Sequence, residues 1–352
     1  MKIVLLEDRA QSAKSLLHEL KLALRGRGTA VLFEASGPPA HTRIHEEQLE
    51  HDLLLARHGD AALIVADRDL SGLPHYGGLS EPTVRRVADK LAIPECGYAR
   101  GENSKNFMED AALREGRIAV SLKPSAKEFA RQVVSIAEGF AYILSKLPAA
   151  IKAPGSKSPG KVLATILGKP EYSEKIALYA SGDQNRLVSV LRVRGQGKVA
   201  NRHLACLLGY WLWDSVLRYP GIVVNETAAS SYLNIDKKAF QSPGVQQLFN
   251  KASYNGPFSA AKRPIWWRGA LDDIVAKSGA SDGRQYATKL LGKNLPQSKC
   301  CVDPKKTAGY YCMLSEEPVS LDNSKAGLAW FPRGADLARI GTTKYQEIVP
   351  WL

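Results

Sequence analysis

Acidic side chains directly follow two short apolar runs near the start of the chain. Glu7 and Asp8 come after residues 3–6, and Asp67 comes after residues 61–66. Such runs are typical of buried parallel strands, whose carboxyl ends meet at one edge of a sheet. Carboxylates gathered there repel one another unless a cation binds between them, and oxygen ligands suit Mg²⁺. The pattern therefore indicates a metal site.

A third strand candidate, residues 118–122, ends at Lys123 and Pro124. A metal ion and a lysine at the same edge could together neutralise a phosphoryl group carried by Asp67. A single acid at a strand end is often only a loop cap, but three charged strand ends are harder to explain in that way. We therefore expect phosphoryl chemistry at this edge.

Strand and helix candidates alternate along residues 1–147. The strand candidates cover residues 3–6, 30–33, 61–66, 93–98 and 118–122, and a long amphipathic helix follows the last of them. This alternation predicts an α/β fold with a doubly wound, five-stranded parallel sheet of the flavodoxin-like type. Sites in such sheets form at the carboxyl ends of the strands.

Three segments of this part resemble the motifs of response-regulator receiver domains. LLEDRAQ resembles their acidic pair, LIVADRDLSG resembles their phosphoacceptor strand with Gly72 five residues after Asp67, and VSLKPS resembles their Lys-Pro signature. The resemblance implies that Asp67 accepts phosphate from a histidine kinase or a phosphotransfer protein. It also implies that Glu7 and Asp8 help Asp67 to bind Mg²⁺, and that Lys123 contacts the phosphoryl group.

The chain departs from the receiver pattern at two positions. Ala99 stands near the end of the fourth strand, where receivers have Thr or Ser, and Ser71 replaces the usual proline. The missing hydroxyl weakens the switch that couples phosphate to the output face. Asp69 is a second candidate acceptor, although the register favours Asp67. A phosphorylatable receiver and a phosphate-independent pseudo-receiver both stay open.

Residues 148–160, PAAIKAPGSKSPG, predict a linker between a domain at 1–147 and a domain at 161–352. Basic and acidic side chains number 20 each over residues 1–147, whereas residues 148–352 hold 28 basic and 15 acidic side chains. The formal net charge of +13 therefore lies entirely in the second part. Such asymmetry indicates an anionic partner, most often nucleic acid, and the alternative is a solubilising surface.

The stretch NETAASSYLNIDKKAF predicts two short helices. Asn225 or Thr227 would cap the first, Asn234 tolerates left-handed turn geometry, and Asp236 would cap the second. Pro243 either ends the second helix or restarts it, because proline cannot donate the helical hydrogen bond. Together with KRPIWWRGALDDIV, the stretch resembles the helix-turn-helix and wing of excisionase-like DNA-binding modules. We expect a mainly α, α+β domain here.

Basic side chains available for phosphate contacts flank this turn and a tryptophan pair: Lys237, Lys238, Lys262, Arg263 and Arg268. Adjacent strand residues face opposite ways, so one of Trp266 and Trp267 is expected in the core and the other at the surface. Trp267 is the candidate for stacking on a base of nucleic acid. The alternative is that both tryptophans are packed and the lysines are only solvated.

The sequence lacks several other patterns that would indicate a particular site or location. Cys300, Cys301 and Cys312 lack a fourth ligand and the spacing of a zinc site, and the odd total of five cysteines favours a reducing cytoplasm. We expect no signal peptide and no membrane span. Residues 161–352 contain no phosphate loop, nucleophile elbow or HExxH motif, so no motif supports an enzymatic activity of the output domain.

These observations favour a two-component-type response regulator in which the receiver-like domain controls a basic, DNA-binding output domain. One alternative is a pseudo-receiver adaptor or effector subunit that binds a protein or RNA. Another is an unrecognised enzyme that acts on nucleic acid. The sequence leaves open whether the chain forms a homodimer.

Overall fold

The computed structural model describes residues 1–35, 45–76, 78–100, 117–154, 158–180, 198–326 and 331–349. Within them the strands are β1 (Lys2–Leu6), β2 (Thr29–Leu32), β3 (Leu63–Asp67), β4 (Glu95–Tyr98), β5 (Val223–Asn225), β6 (Ile265–Trp267), β7 (Tyr310–Cys312), β8 (Pro318–Val319), β9 (Ser324–Lys325) and β10 (Ala338–Gly341). The α-helices are α1 (Ala10–Leu24), α2 (His45–Leu55), α3 (Glu81–Lys90), α4 (Ala126–Lys152), α5 (Pro159–Ile166), α6 (Ser173–Ala177), α7 (Lys198–Trp211), α8 (Glu226–Tyr232), α9 (Lys237–Phe240), α10 (Pro243–Leu248), α11 (Arg268–Ser278), α12 (Gly283–Leu291) and α13 (Thr342–Ile348).

The chain divides into two units. The first comprises Met1–Val162 with Asn185–Asp214, and the second comprises Leu163–Gln184 with Ser215–Leu352. Four strands of the first unit form a parallel sheet in the order β2-β1-β3-β4. All four apolar residues at 3–6 in β1 are fully buried, as expected for a strand covered on both faces. This unit is therefore α/β with a four-stranded parallel sheet.

Among the residues that the structure describes, the predicted fifth strand at 118–122 forms one parallel bridge, between Gly97 and Ala119. The Gly97 N–H donates to the carbonyl of Ile118 at 2.8 Å, and the Val120 N–H donates to the carbonyl of Gly97 at 3.0 Å. Beyond this bridge the Lys123 N–H donates to the Ser121 hydroxyl at 3.1 Å, and Pro124 has no N–H to donate. Regular pairing therefore covers four strands rather than the five predicted.

Helix α4 is the inner helix of the first unit and packs against both α1 and α7. Gly209 of α7 lies directly against Phe140 of α4, because an added Cβ would lie 2.3 Å from the Cε1 atom of that ring. By length and composition, α4 is the one described helix apolar enough to cross a membrane, and half of its apolar window is buried inside the protein.

The segment predicted as a linker, residues 148–160, begins inside α4. Leu147 and Ala150 are buried, so the apolar stripe continues past Pro148 to Ala150, and the helix itself ends at Lys152. Residues 155–157 lie outside the described residues, and α5 begins at Pro159. The first unit also includes α7, which lies beyond the predicted boundary, because its residues pack on α4.

The second unit combines short helices with two small sheets. β5 and β6 form an antiparallel pair, and the other sheet has the order β8-β7-β10-β9, with β7 and β10 parallel. A large apolar cluster of this unit gathers side chains from α8, α9, α10, α11 and β6. Helices of four to seven residues at α8, α9 and α10 gain most of their stability from this packing.

Candidate functional site

The ends of β1 and β3 lie side by side, because Leu6 pairs with Ala66 in the parallel register. Glu7, Asp8 and Asp67 therefore meet at the carboxyl edge of the sheet, where one oxygen from each lies within 4.8 Å of the others. Among the described residues, this is the one group of three or more His, Cys, Asp or Glu side chains close enough to hold a metal ion. Its donor set consists of carboxylate oxygens, which suits Mg²⁺.

Two hydrogen bonds fix the orientation of Glu7. The backbone N–H of Arg9 donates to Oε1 at 2.9 Å, and the Tyr98 hydroxyl donates to Oε2 at 2.7 Å. Burial raises the pKa of Tyr98, and the carboxylates of Asp67 and Asp8 act in the same direction. Tyr98 therefore stays protonated at neutral pH and remains a donor.

Asp8 is fixed through one oxygen only. The backbone N–H of Gly72 donates to Oδ2 at 2.9 Å, and a Cβ at residue 72 would lie 2.8 Å from that oxygen. The other oxygen, Oδ1, is buried and accepts no hydrogen bond within the described part of the chain. A buried carboxylate oxygen without a donor is costly unless a cation meets it. The site residues thus fit a bound cation.

Asp67 is buried at the centre of the group. Burial raises its pKa to about 6, the backbone N–H of Asp69 lowers it, and the charge of Asp8 raises it. Its carboxyl group is therefore mostly ionised at neutral pH. Asp69, the second candidate acceptor, is exposed and lies outside the metal-binding group. Its Oδ1 instead accepts the backbone N–H of Ser71 at 3.1 Å.

An arginine that the sequence prediction missed lies in this acidic site. The Nε of Arg100 is 3.2 Å from Oδ2 of Asp67, and its Nη2 contacts Oε2 of Glu7. Burial lowers the pKa of Arg100 from its usual value, which still leaves a guanidinium charged at neutral pH. A basic residue two positions after the end of β4 was the available signal, since all parallel strands end at the same edge.

The resemblance to receiver domains also involves Lys123 and Ala99. Lys123 is exposed, its peptide bond to Pro124 is cis, and its amine forms no ion pair with the three acids among the described residues. Ala99 is buried and offers no hydroxyl. The predicted contact between Lys123 and a phosphoryl group stays a prediction.

The helical turn predicted in the second unit is present. Asn225 caps α8, with its Oδ1 accepting the Ala228 N–H at 2.9 Å, and Asn234 has a φ of 59°. Asp236 caps α9, and α10 restarts at Pro243. These local predictions are confirmed, with Asn225 rather than Thr227 as the first cap.

Several of the predicted phosphate-binding side chains already form ion pairs. Lys237 pairs with Glu317 at 3.0 Å. Arg263 pairs with Glu316 at 3.5 Å, and Arg268 pairs with Asp336 at 2.7 Å. Lys262 is half-buried and Lys238 is exposed. The local positive charge is therefore smaller than the sequence suggests, and nucleic-acid binding here stays a prediction.

The expectation that one of the two tryptophans is exposed is wrong. Trp266 is 3% exposed and packs edge-on against Phe240, whereas Trp267 is 7% exposed and stacks on Tyr172. The rings of Tyr172 and Trp267 are 5.3 Å apart and inclined by 8°. Other parts of the second unit cover both faces of the β5–β6 pair, so Trp267 presents no free face to a base.

Comparison with known proteins identifies no protein similar to this chain. The chain matches no family model, and no curated protein or solved structure matches it.

Proposed function

We propose that the first unit is a receiver-like module that accepts a phosphoryl group on Asp67. The observation that carries this proposal is the group of three carboxylates within 4.8 Å at the carboxyl edge of a parallel sheet. The single parallel bridge between Gly97 and Ala119 supports the five-stranded receiver sheet, because it is placed where a fifth strand would pair. A histidine kinase or a phosphotransfer protein would be the natural phosphoryl donor.

The acceptor chemistry follows from the environment of Asp67. A carboxylate oxygen of Asp67 attacks the phosphorus atom of the donor, the bond from phosphorus to the donor's leaving atom breaks, and an acyl phosphate remains. Glu7, Asp8 and Asp67 would hold Mg²⁺, which when bound would offset negative charge on the phosphoryl oxygens. Lys123 is proposed to contact the phosphoryl group. Glu7 is kept in place by the Tyr98 hydroxyl.

We propose that the basic second unit is the output and binds nucleic acid, in the simplest case duplex DNA as part of a transcription regulator. The charge excess of residues 148–352 supports this proposal. So does the arrangement of α8, the left-handed Asn234 and α9, which resembles a helix-turn-helix. The exposed Lys238 is the first candidate for a phosphate contact.

A second candidate function is a phosphate-independent adaptor whose basic unit binds a protein or RNA. The ion pair between Arg100 and Asp67 favours it, because the site then has a positive charge without any metal. The ion pairs of Lys237, Arg263 and Arg268 also favour it, because they reduce the charge available for phosphates.

Phosphorylation by a small donor separates the two candidates. The full chain is incubated with acetyl phosphate and Mg²⁺, and its intact mass is measured. We expect one added phosphoryl group in the wild type, none in Asp67→Asn, and one in the matched control Asp69→Asn. If the wild type gains no phosphoryl mass and binds no Mg²⁺, the receiver proposal fails and the adaptor takes its place.

A further inference from the structure

Arg100 connects four elements of the first unit at the acidic edge of the sheet. It contacts Glu7 after β1, and its Nε lies 3.2 Å from Asp67 at the end of β3. Its Nη1 contacts the Ser12 hydroxyl in α1, and the guanidinium carbon lies 5.7 Å from the ring centre of Tyr98 in β4. The guanidinium is thus held from several sides between the strand ends.

The carboxylates that Arg100 contacts are buried, so they need a compensating charge. The side chain of Glu7 is 0% exposed and that of Asp67 is 7% exposed, against 19% for Arg100. Two like charges removed from water and placed close together are unfavourable unless an opposite charge lies between them. The guanidinium meets both carboxylates as a charge, because its Nε and Nη2 atoms form no hydrogen bond within the described part of the chain. Arg100 supplies that charge from within the chain.

The geometry points to Arg100 as a tethered cation that occupies the acidic site and competes with Mg²⁺ for Glu7 and Asp67. This inference rests on the proposed function, in which Mg²⁺ is the competing ligand. An internal group that fills a site for nine-tenths of the time weakens the apparent affinity for an external ligand about tenfold. Arg100 is therefore a positioning residue that sets the Mg²⁺ concentration at which Asp67 becomes reactive.

Titration of the full chain with Mg²⁺ in a calorimeter tests the competition. Arg100→Met removes the charge but keeps the unbranched apolar stem, and we expect it to bind Mg²⁺ about tenfold more tightly than the wild type. Arg100→Lys keeps the charge and should bind almost as weakly as the wild type. Equal Mg²⁺ affinities in the wild type and Arg100→Met would overturn the inference and leave the proposed metal site intact.

A matched control separates direct contact from the general effect of charge. Arg9 is exposed and adjacent to the acids in sequence, and its charge lowers the pKa of Asp67 from a distance. Arg9→Met removes the same charge without vacating the space between the carboxylates. We expect a clearly smaller gain in Mg²⁺ affinity than for Arg100→Met. Equal gains in the two variants would contradict competition by occupancy.

A metal-free double-mutant cycle tests the inference without Mg²⁺. Unfolding in urea with EDTA is compared for the wild type, Arg100→Met, Glu7→Gln and the double variant. We expect Arg100→Met to destabilise the wild type strongly and the Glu7→Gln background much less, since residues in contact are coupled. If Arg100→Met does not fold, rescue by Glu7→Gln supports the same conclusion, and additive effects overturn it. Coupling without Mg²⁺ binding in any variant would retain the ion pair but overturn both the competition with Mg²⁺ and the Mg²⁺-dependent receiver.

Discussion

The hydroxyl of Tyr98 donates a 2.7 Å hydrogen bond to Oε2 of Glu7, which joins the end of β4 to the end of β1. Both residues are buried. Since the hydroxyl stays protonated at neutral pH, it holds one oxygen of Glu7 in a fixed position beside Asp67. The acidic site is therefore part of the packing of the sheet as well as a place for chemistry.

Loss of this hydroxyl should cost stability. Tyr98→Phe leaves the ring packing intact but deprives a buried carboxylate oxygen of its donor, so we expect a loss of about 1–3 kcal/mol in the free energy of unfolding. Urea denaturation monitored by circular dichroism measures it. Tyr345→Phe, at a partly exposed tyrosine on α13, is the control and should change little. Equal stabilities of Tyr98→Phe and wild type would contradict the role of the bond.

Glu95 should make stability fall as the pH rises. Burial raises the pKa of Glu95, Glu81 and Asp89 act in the same direction, and Arg85 and Arg117 lower it. The unfolded chain therefore releases this proton at a lower pH than the folded chain does, so ionisation favours unfolding above the usual glutamate pKa. The effect stops growing once the pH exceeds the raised pKa of the folded state.

Replacing the Glu95 carboxyl group by an amide tests whether its ionisation lowers the free energy of unfolding. We expect Glu95→Gln to match the wild type near pH 4 and to be more stable than the wild type at pH 8, where the wild type must bury a charge or keep a proton. Urea midpoints measured at several pH values give the difference directly. A variant less stable than the wild type at pH 8 would contradict this account of Glu95.

The close contact between α7 and α4 should make Gly209 intolerant of a side chain. Gly209→Ala places a Cβ 2.3 Å from the Phe140 ring, and overpacking of this kind costs about 1–3 kcal/mol. Phe140→Leu in the same chain should recover part of the loss by vacating that space. Gly309→Ala is the control, because a Cβ there meets no atom within 4 Å. Thermal unfolding that is unchanged in Gly209→Ala would contradict the contact.

Limited proteolysis should cut first between residues 153 and 160, because Pro/Gly/Ser-rich segments are favoured sites. The structure adds a second expectation. Arg202 of α7 donates to the carbonyls of Gly59, Ala61 and Ala92, so the two fragments should elute together in size-exclusion chromatography and separate only in denaturant. A first cut within residues 161–352 that leaves the segment at 148–160 intact would contradict the predicted boundary.

Phosphate contacts in the second unit should appear in the salt dependence of DNA binding. Lys238→Ala removes an exposed amine beside the α8–α9 turn and should lower the slope of log affinity against log salt by about 0.9. Lys277→Ala, also exposed but on α11, is the matched control and should leave the slope unchanged. Gel shifts over a salt series measure both. No binding of DNA at low salt by the wild type would contradict the DNA-binding output.

Reversing the charges of Lys262, Arg263 and Arg268 tests the other predicted contacts. We expect weaker binding to all sequences alike, because phosphate contacts carry no sequence information. Since Arg268 pairs with Asp336, part of the effect could come from lost packing. The variant Asp336→Asn, which breaks the same ion pair while keeping Arg268, controls for that. A triple variant that folds and binds DNA and RNA as the wild type does would contradict this surface.

Features set by neighbouring residues could be predicted from the sequence. The caps at Asn225 and Asp236 and the left-handed Asn234 depend on hydrogen bonds and torsions within a few positions, and all three are confirmed. The meeting of Glu7 and Asp67 also followed from the sequence, because parallel strands place their carboxyl ends at one edge. The order of residue types along the chain was sufficient to predict both the helix caps and the meeting of the two acids.

Features that depend on distant residues needed the tertiary structure. Trp267 is covered by Tyr172, almost a hundred positions earlier in the chain, so alternation along β6 gave the wrong exposure. Residues 118–122 form one bridge to β4 within the described residues, and no local pattern specifies how far pairing between two distant segments extends. Arg100 is the clearest case: the sequence by itself determined that acids gather at the sheet edge, but only three-dimensional packing decided that a guanidinium lies among them. The physical reason is that a long, flexible side chain takes its direction from the charges and cavities around it.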